Sequence, residues 1–329
     1  MDDAYLDVGD RSAMEAILPA HHKQWGDGIP IDSYRACMRE KMEHDWVRHH
    51  VRSLVLRSRE GECLSTLRLY GVRGMHRDVE IRLAGIGEVL TPENLRGRGH
   101  AGRLLHLTLE LLEQEGVDGA YLFSDIDPSL YARFGFETVC CNHVDVPIDQ
   151  VPDAVAGGCD VRPLRPADWE AIRRIHRAAG AGEPLWLLRD AEQWGFLLGR
   201  WPLWARHDPR YRITQVDCVA EREGRVSGYA IALAELEERT LKMLEFGTGI
   251  GDASTLLSLL GALKGRASDL GCVRFSAPWP PGAAGSAFRE KFEAVPRRDG
   301  IFMVASLSER FDLAELVRQG SGFWETDHI

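Results

Sequence analysis

The feature that most constrains the fold of this 329-residue chain is a repeat, because glycines and apolar residues of its first half recur 152 positions later. In the first half the repeated residues are Gly97, Gly99, Ala101, Leu104, Leu105, Gly119, Phe123 and Ser124. In the same order, their counterparts in the second half are Gly249, Gly251, Ala253, Leu256, Leu257, Gly271, Phe275 and Ser276. Self-similarity at one offset indicates a duplicated structural unit. A chance similarity between two amphipathic helices is the alternative.

Hydrophobic periodicity gives both halves the same mixture of helices and strands. The long amphipathic helix is expected from about Gly99 to Gln114 in the first half and over Thr255–Leu270 in the second. We predict the α+β class, with two tandem units that each have a mixed, mainly antiparallel sheet flanked by helices. The expected boundaries are residues 1–150 for the first unit, 151–158 for a linker, 159–308 for the second unit and 309–329 for a C-terminal helix and tail.

Composition and charge disfavour several classes of protein. The formal net charge of −10 opposes binding to nucleic acid. No apolar run approaches the roughly 18–20 residues that a membrane helix needs, and the N-terminus lacks the pattern of a signal peptide. The seven cysteines show no C-x-x-C spacing, so we expect reduced thiols, no metal site and a cytoplasmic location. Assembly into a homo-oligomer stays open.

A glycine-rich loop stands immediately before the long helix of the first half. Glycines let the backbone approach a ligand closely, and the unpaired N–H groups at a helix start carry partial positive charge. Two arginines and a histidine add further positive character, so the loop predicts a cradle for a pyrophosphate. Its residues are Arg96, Gly97, Arg98, Gly99, His100, Ala101 and Gly102.

The loop also satisfies the dinucleotide-binding pattern G-x-G-x-x-G, through Gly97, Gly99 and Gly102. Asp125 follows the loop by 23 residues, at the end of the next strand, as that pattern requires. In that fold the glycine turn directly follows a strand. Here residues 91–96 intervene, behind a meander that looks antiparallel. A Rossmann-type NAD(P)-dependent oxidoreductase is therefore the second hypothesis for the function.

Two segments resemble the motifs of the GNAT acyl-CoA N-acetyltransferases. Residues 88–99, with the spelling R-x-x-G-x-A at Arg96, Gly99 and Ala101, are similar to motif A, and residues 122–137 are similar to motif B. The resemblance is strong over about residues 85–140 and weak over the second half. Two tandem GNAT units, the second without motif A, also resemble the enhanced-intracellular-survival acetyltransferases without their third, sterol-carrier-like domain.

This resemblance implies an enzyme that moves the acetyl group of acetyl-CoA to a primary amine of a small molecule or of a lysine-like or peptide acceptor. In the family, the strand before the loop separates from its neighbour and leaves backbone N–H groups free to bind the thioester carbonyl. The resemblance therefore implies that Val89 and Leu90 contact the coenzyme. The resemblance also assigns Ser124 and Asp125, which follow a strand end, to coenzyme contacts. Capping of the next helix is their alternative role.

Acetyl transfer also needs an acid for the departing thiolate and a base for the amine. Tyr131 in motif B is the candidate acid, because a phenol with a pKa of about 10 stays protonated at neutral pH; a half-buried packing role is the alternative. Glu88 shares a strand face with Leu90 and is one candidate for the base; a structural or solvent-facing role of its carboxylate is the alternative.

In the enhanced-intracellular-survival proteins the C-terminal carboxylate reaches the active site, so the resemblance makes the carboxylate of Ile329 a second candidate for the base. The aromatic tail over 323–329 is expected to dock rather than fray.

The second half departs from the pattern at each chemical position. Arg96, Arg98, His100 and Gly102 of the first half are replaced by Thr248, Ile250, Asp252 and Ser254. An aspartate at a helix start repels phosphate, so we expect a catalytically silent unit that shapes the acceptor pocket or an interface. The tryptophans at 186, 194, 201 and 204 predict core packing or a cation–π wall for an amine. A non-catalytic CoA-binding or regulatory module is the third hypothesis.

Overall fold

The computed structural model of the chain describes residues 4–26, 28–139, 142–154, 157–208, 210, 212–249, 251–280, 285–298, 300–319 and 323–328. Ile250, Ile329 and positions 155–156 of the expected linker lie outside these residues. Within them, two eight-stranded sheets are flanked by helices. No helix in these ranges is both long and apolar enough to cross a membrane.

The described residues before position 139 form six strands and five helices. Its strands are β1 (Tyr5–Val8), β2 (Val51–Arg57), β3 (Cys63–His76), β4 (Val79–Leu90), β5 (Gly119–Ser124) and β6 (Glu137–Thr138). Its helices are α1 (Arg11–Trp25), α2 (Ile31–Glu43), α3 (Asp45–His50), α4 (His100–Gln114) and α5 (Ser129–Ala132), with a 3-10 turn at Glu93–Leu95.

The rest of the chain supplies the remaining elements in a similar order. Its strands are β7 (Asn142–Pro147), β8 (Asp160–Pro163), β9 (Trp186–Leu188), β10 (Ile213–Gln215), β11 (Cys218–Arg222), β12 (Arg225–Glu235), β13 (Thr240–Thr248), β14 (Arg274–Pro278), β15 (Val295–Pro296) and β16 (Ile301–Ser306). Its helices are α6 (Trp169–Ala179), α7 (Ala191–His207), α8 (Ala253–Asp269), α9 (Ser286–Arg289) and α10 (Leu313–Gln319), with 3-10 turns at Ile148–Gln150, Pro166–Asp168 and Glu325–Asp327.

The two long helices follow the predicted periodicity. Helix α4 begins directly after Gly99 and buries one apolar stripe, formed by Leu104, Leu105, Leu109 and Leu112. Helix α8 begins after Asp252, whose carboxylate accepts a hydrogen bond from the backbone N–H of Thr255 at 3.1 Å. Such a side chain satisfies an N–H group that the helix itself leaves unpaired. Both helices therefore lie within two residues of their predicted bounds.

The strand orders confirm the predicted fold class. The first sheet runs β1-β2-β3-β4-β5-β16-β6, with β9 beside β3, and the second runs β15-β7-β14-β13-β12-β11-β8, with β10 beside β12. Of the strand pairs within the described ranges, β4–β5 and β13–β14 are parallel and the others are antiparallel. A dinucleotide-binding fold needs a mostly parallel, doubly wound sheet. The Rossmann alternative is therefore wrong for this chain.

The two sheets exchange strands. Strand β7 comes from the first half of the chain but pairs with β14 and β15, whereas β16 comes from the second half and lies between β5 and β6. The sheets therefore do not coincide with the contiguous units 1–150 and 159–308 expected from the sequence. Periodicity reports which face of a strand is buried and carries no information about which strand pairs with it.

The exchanged strand β16 also anchors the chain's tail. Phe302 stands opposite Phe123 in the register with β5, and its ring centroid lies 4.1 Å from that of Phe323. The ring of Phe323 also lies 5.0 Å from that of Tyr121. Trp324 is buried in the core of the second sheet. The tail over residues 323–327 therefore packs against both sheets, because aromatic side chains gain free energy on burial.

Phe302→Ala should lower the free energy of unfolding by about 3–5 kcal/mol, because a buried phenylalanine leaves a cavity when truncated. The Phe302 side chain is 1% exposed and contacts both β5 and the tail. Urea denaturation followed by circular dichroism measures the change. Val79→Ala, at a residue 46% exposed, is the control and should change stability by less than about 0.5 kcal/mol. Equal effects would show that β16 does not support the first sheet.

Candidate active site

The centre of the candidate site is a gap between β4 and β5. These strands pair in parallel over three positions, Leu83–Gly85 with Gly119–Tyr121, and then continue without pairing to each other up to Leu90 and Ser124. The β3–β4 register shifts beside the gap, and Glu88 has a φ of +51° there, which is rare for a residue other than glycine. The divergence leaves the β5-facing edge of β4 open at residues 86–90.

A cavity of about 540 Å³ lies at this gap. It is lined by residues of α1, α2, β4, β5, α5, α7 and the tail, so both halves of the chain contribute to its wall. The lining residues that the sequence predicted as functional are Glu88, Val89, Leu90, Arg96, Asp125, Tyr131 and Trp204. The fold therefore brings the candidate acid, one candidate base and part of the coenzyme set into one cavity.

The glycine loop lies at the N-terminus of α4 and has the conformation that its sequence predicts. Gly97 and Gly99 have φ values of +77° and +82°, and a Cβ atom added at either would meet no protein atom within 4 Å. No side chain caps the helix at Gly99. The side chains of Arg96 and Arg98 are exposed beside the loop. An open, uncapped helix start beside two arginines matches the requirements of an anion site.

Three further residues of the predicted coenzyme set belong to the first turn of α4. His100 is buried, so its ring is not exposed beside the two arginines. Ala101 is half-buried. A Cβ atom added at Gly102 would lie 3.1 Å from Cζ of Phe134, so a small residue here lets α4 pack closely against the segment after α5. The backbone of this turn, rather than the His100 side chain, therefore faces the position of a ligand at the helix start.

Ser124 and Asp125 stabilise the turn at the end of β5. The buried Ser124 hydroxyl donates a hydrogen bond to the carbonyl oxygen of Ile126 at 2.9 Å. One carboxylate oxygen of Asp125 accepts a hydrogen bond from the N–H of Gly300 at 2.9 Å. The Asp127 carboxylate accepts one from the N–H of Ser129 at the start of α5. Neither Ser124 nor Asp125 therefore caps α5, whose N-cap residue is Pro128.

Tyr131 lies in the short helix α5 and borders the cavity with a side chain that is 8% exposed. Burial raises the pKa of the Tyr131 phenol, and the nearby charge of Asp125 raises it further. A phenol with a raised pKa is fully protonated at neutral pH and retains a proton to donate. No hydrogen bond among the described residues uses its hydroxyl.

Glu88 is at the centre of a cluster of hydrogen-bond donors. One of its oxygens accepts hydrogen bonds from Lys41 at 2.7 Å, Arg68 at 2.9 Å and the Tyr70 hydroxyl at 3.1 Å. The other lies 2.9 Å from Nε2 of His21 and 2.8 Å from Arg68. Burial alone would raise the pKa of Glu88, but the charges of Arg68 and Lys41 and the hydrogen bond with His21 hold it well below its usual range.

These contacts favour the structural alternative for Glu88 over the role of general base. A carboxylate with a depressed pKa is a weak proton acceptor, and every oxygen of Glu88 already has donors. Sequence analysis did not identify the partners His21, Lys41 and Arg68, because they come from α1, α2 and β3 and share no local spacing. They are neighbours because the helices pack on the sheet beside the shifted register of β4.

Arginines of the second half hold the tail next to the cavity. The half-buried Arg200 donates hydrogen bonds to the carbonyl oxygens of Thr326 at 2.8 Å and Glu325 at 3.1 Å, and to that of His328. Arg189 contacts the carboxylate of Asp327 at 2.7 Å. These interactions bring the tail to the cavity, where His328 forms part of the lining.

The ring of His328 stacks on that of Phe123, with centroids 4.5 Å apart and planes inclined by 28°. Phe123 is itself part of β5, at the edge of the gap. The next residue, Ile329, lies outside the described residues. Its carboxylate therefore stays a prediction as a base, and His328 is a cavity residue that the sequence analysis did not single out.

The four tryptophans of the second half have different environments. Trp186 and Trp194 are buried in the cores, and Trp201 packs under the guanidinium of Arg200 at 4.2 Å. Trp204 lines the cavity, with its ring centroid 5.8 Å from that of Tyr34. Core packing thus accounts for two of the four, and Trp204 forms part of the cavity wall.

The corresponding helix start in the second half differs from the glycine loop in its chemistry. Asp252 caps α8 through the N–H and the hydroxyl of Thr255, at 3.1 and 2.7 Å, and lies 3.4 Å from Arg222. A carboxylate thus occupies the place that an anion needs. This arrangement supports a silent second unit. Within the ranges that the structure describes, no cluster of His, Cys, Asp and Glu is suited to hold a metal ion.

Comparison with known proteins identifies the fold. Residues 30–139 match the family model described as an acetyltransferase (GNAT) domain. Similar solved structures include a probable N-acyltransferase from Enterococcus faecalis, with 14% identity and a TM-score of 0.71 over 93% of this chain and 73% of that one. A GCN5-related N-acetyltransferase from Anabaena variabilis has 14% identity and a TM-score of 0.69 over 93% of this chain and 73% of that one. Eis1 from Mycobacterium abscessus has 15% identity and a TM-score of 0.58 over 92% of this chain and 74% of that one. No curated protein sequence matches the chain.

The fold and the matched domain define the class of protein: this chain is an acyltransferase with the GNAT fold. Residues 30–139 belong to the acetyltransferase (GNAT) domain family, and the two sheets form the tandem GNAT arrangement.

Glu88→Gln should lower the free energy of unfolding at pH 7 by about 3–5 kcal/mol, because it leaves Lys41 and Arg68 partly buried without their counter-charge. The folded-state pKa of Glu88 is depressed. Its contribution is therefore complete above the unfolded value of about 4.3 and is lost as the pH falls through the folded value.

The stability of the wild-type protein should accordingly decrease more steeply than that of the variant below about pH 5. Chemical denaturation at pH 7, 5 and 3.5 measures both effects. Glu113→Gln, on the exposed face of α4, is the control. A Glu88→Gln variant as stable as this control at pH 7 would contradict the structural role of the carboxylate.

Proposed function

We propose that this acyltransferase moves the acetyl group of acetyl-CoA to a primary amine of a small molecule or of a lysine-like or peptide acceptor by direct attack. The observation that carries the proposal is the cavity between β4 and β5, because its wall includes Arg96 next to the glycine loop and Tyr131 on α5. A thioester placed in this gap has an anion cradle for its coenzyme arm and a protonated phenol beside it.

The coenzyme is proposed to bind along the glycine loop. The open space at Gly97 and Gly99 accommodates a pyrophosphate, with the first amides of α4 as donors and Arg96 and Arg98 as counter-charges. The backbone N–H groups of Val89 and Leu90 belong to the segment of β4 that does not pair with β5. A donor of this kind for the developing oxyanion contributes on the order of 3 kcal/mol in acyl transfer.

Aromatic and acidic side chains of the same cavity suit an amine acceptor. The rings of Trp25, Tyr34 and Trp204 contribute to its wall, and aromatic faces attract cations. The carboxylate of Asp125 adds negative potential. We propose that the second half supplies Trp204 and the tail to this site and binds no coenzyme itself, and that the enzyme acts in the cytoplasm.

A binding experiment followed by a turnover assay tests the function. Acetyl-CoA at about 100 times its dissociation constant should stabilise the protein by about 2.7 kcal/mol, and NADPH should give no shift. Release of CoA is then measured with a panel of primary amines that includes lysine amide, spermidine and phenethylamine. Stabilisation by NADPH alone would contradict the proposal. Binding of CoA without turnover on any amine would favour a regulatory CoA-binding module.

Gly99→Glu should abolish binding of acetyl-CoA, because its side chain enters the open space of the cradle and adds a charge that repels the pyrophosphate. Its φ of +82° also strains any side chain. Isothermal titration calorimetry measures the affinity. Asp252→Ala, which removes the cap of α8, is the matched control and should leave the affinity unchanged within about twofold while costing about 1 kcal/mol of stability. Comparable loss of affinity in both variants would show that the second half also binds the coenzyme.

Tyr131→Phe should lower kcat by about 10²-fold or more, with little change in the affinity for acetyl-CoA. The substitution keeps the buried ring and removes the ionisable hydroxyl. Because burial and Asp125 raise the pKa of Tyr131 above its usual value of 10, the high-pH limb of the wild-type kcat should lie above about pH 10 and disappear in the variant. A variant with wild-type kcat and pH profile would assign Tyr131 to packing alone.

A further inference from the structure

We propose that His328 is the general base of this acetyltransferase, and that Glu325 orients its imidazole towards the acceptor amine. The inference rests on the proposed function and adds to it a residue that accepts the proton of the amine. Its first support is position. His328 lines the same cavity as Tyr131, and its side chain is 30% exposed there, so a ligand in the cavity has access to the ring.

Two contacts fix the orientation of the ring. One face stacks on Phe123, which is part of the gap between the strands. Nδ1 of His328 lies 3.5 Å from a carboxylate oxygen of Glu325, and the other oxygen of Glu325 accepts a hydrogen bond from Arg297 at 2.7 Å. A carboxylate beside Nδ1 favours the tautomer with its proton there, which leaves the lone pair of Nε2 for a proton from the substrate.

The carboxylate that orients the ring stays ionised. Burial would raise the pKa of Glu325, but its hydrogen bond with His328 and the charge of Arg297 hold it well below its usual range. An ionised Glu325 stabilises the imidazolium that forms when His328 takes up a proton. Arg200 holds the backbone of the same segment at Glu325, Thr326 and His328, so ring and carboxylate are fixed together.

The other carboxylates and the other imidazole among the described residues of the cavity already have hydrogen-bond partners. Glu88 is held by two cations, as described above. Both ring nitrogens of His21 are engaged, Nδ1 with the Tyr34 hydroxyl and Nε2 with Glu88. Asp125 accepts the N–H of Gly300. Imidazole side chains serve most often as general bases in enzymes.

The proposed step balances protons and bonds. Nε2 of His328 takes one proton from the acceptor ammonium, and the neutral amine forms a bond from nitrogen to the thioester carbonyl carbon. Collapse of the tetrahedral intermediate breaks the bond between carbon and sulfur, and Tyr131 donates its proton to the leaving thiolate. The second proton lost by the nitrogen restores the Tyr131 phenol, and the imidazolium releases its proton to solvent.

The pH profile of kcat separates this role from a structural one. The charged and titratable groups around His328 are Glu325 on its own segment, Arg297 before β16, Arg200 on α7, Asp125 after β5 and Tyr131 on α5. His328→Gln should lower kcat at pH 7 by about 10²-fold or more, with an unchanged affinity for acetyl-CoA. The remaining rate should rise about tenfold per pH unit, because without a base only the free amine reacts.

The assay uses acetyl-CoA with whichever amine of the panel gives the fastest turnover in the wild-type protein. His106→Gln is the matched control, because His106 also lies beside a carboxylate, that of Glu110 at 3.3 Å, but is 54% exposed on α4 away from the cavity. The control should keep the wild-type kcat and pH profile. Glu325→Gln should give a smaller loss of kcat than His328→Gln and an altered acid limb.

Chemical rescue distinguishes the loss of a base from a change in the structure of the tail. Added imidazole should restore kcat of His328→Ala by about tenfold or more in a concentration-dependent manner, and it should not affect Tyr131→Phe. A His328→Gln variant with wild-type kcat and pH profile, or a His328→Ala variant inactive at every imidazole concentration, would overturn the assignment. If the wild-type protein binds acetyl-CoA but acetylates no amine, the proposed function itself is wrong, and His328 has no such role.

Discussion

The divergence of β4 from β5 is the constraint on which the rest of the site depends, and the half-buried carboxylate of Glu88 lies beside it. Glu88 adopts a backbone conformation that non-glycine residues rarely take, and Lys41, Arg68 and His21 surround its side chain. A charge in such an environment is stable only when its partners remain in place. The cluster therefore ties α1, α2 and β3 to the point where β4 leaves its neighbour, and the cavity opens beside it.

The second half of the chain takes part in the site without repeating its chemistry. It places β16 between β5 and β6, supplies Trp204 to the cavity wall and holds the tail through Arg189 and Arg200. Its corresponding helix start is capped by Asp252, while its sheet and core remain intact. The exchange of β7 and β16 also makes the two sheets mutually dependent, since each completes the other's hydrogen-bond ladder.

The parts of the site that sequence analysis predicted are those whose chemistry is local. The glycine loop needs positive φ at Gly97 and Gly99 and a helix start directly after them, and both requirements are visible in seven consecutive residues. Motif B likewise placed Tyr131 next to the end of β5. The partners of Glu88 were not predicted, because Lys41 and Arg68 are 47 and 20 residues away from it and no sequence period links them.

The sequence by itself determined the class of the fold, the duplication, the bounds of the long helices and the place of the glycine loop, because periodicity, glycine and helix starts act over a few residues. Tertiary structure alone decided the exchange of strands and the environment of Glu88. It also decided the approach of His328 to a cavity built mainly from residues 21–131. Each of these depends on which surfaces pack together, and a buried charge or an exchanged strand is stable only once both partners are present.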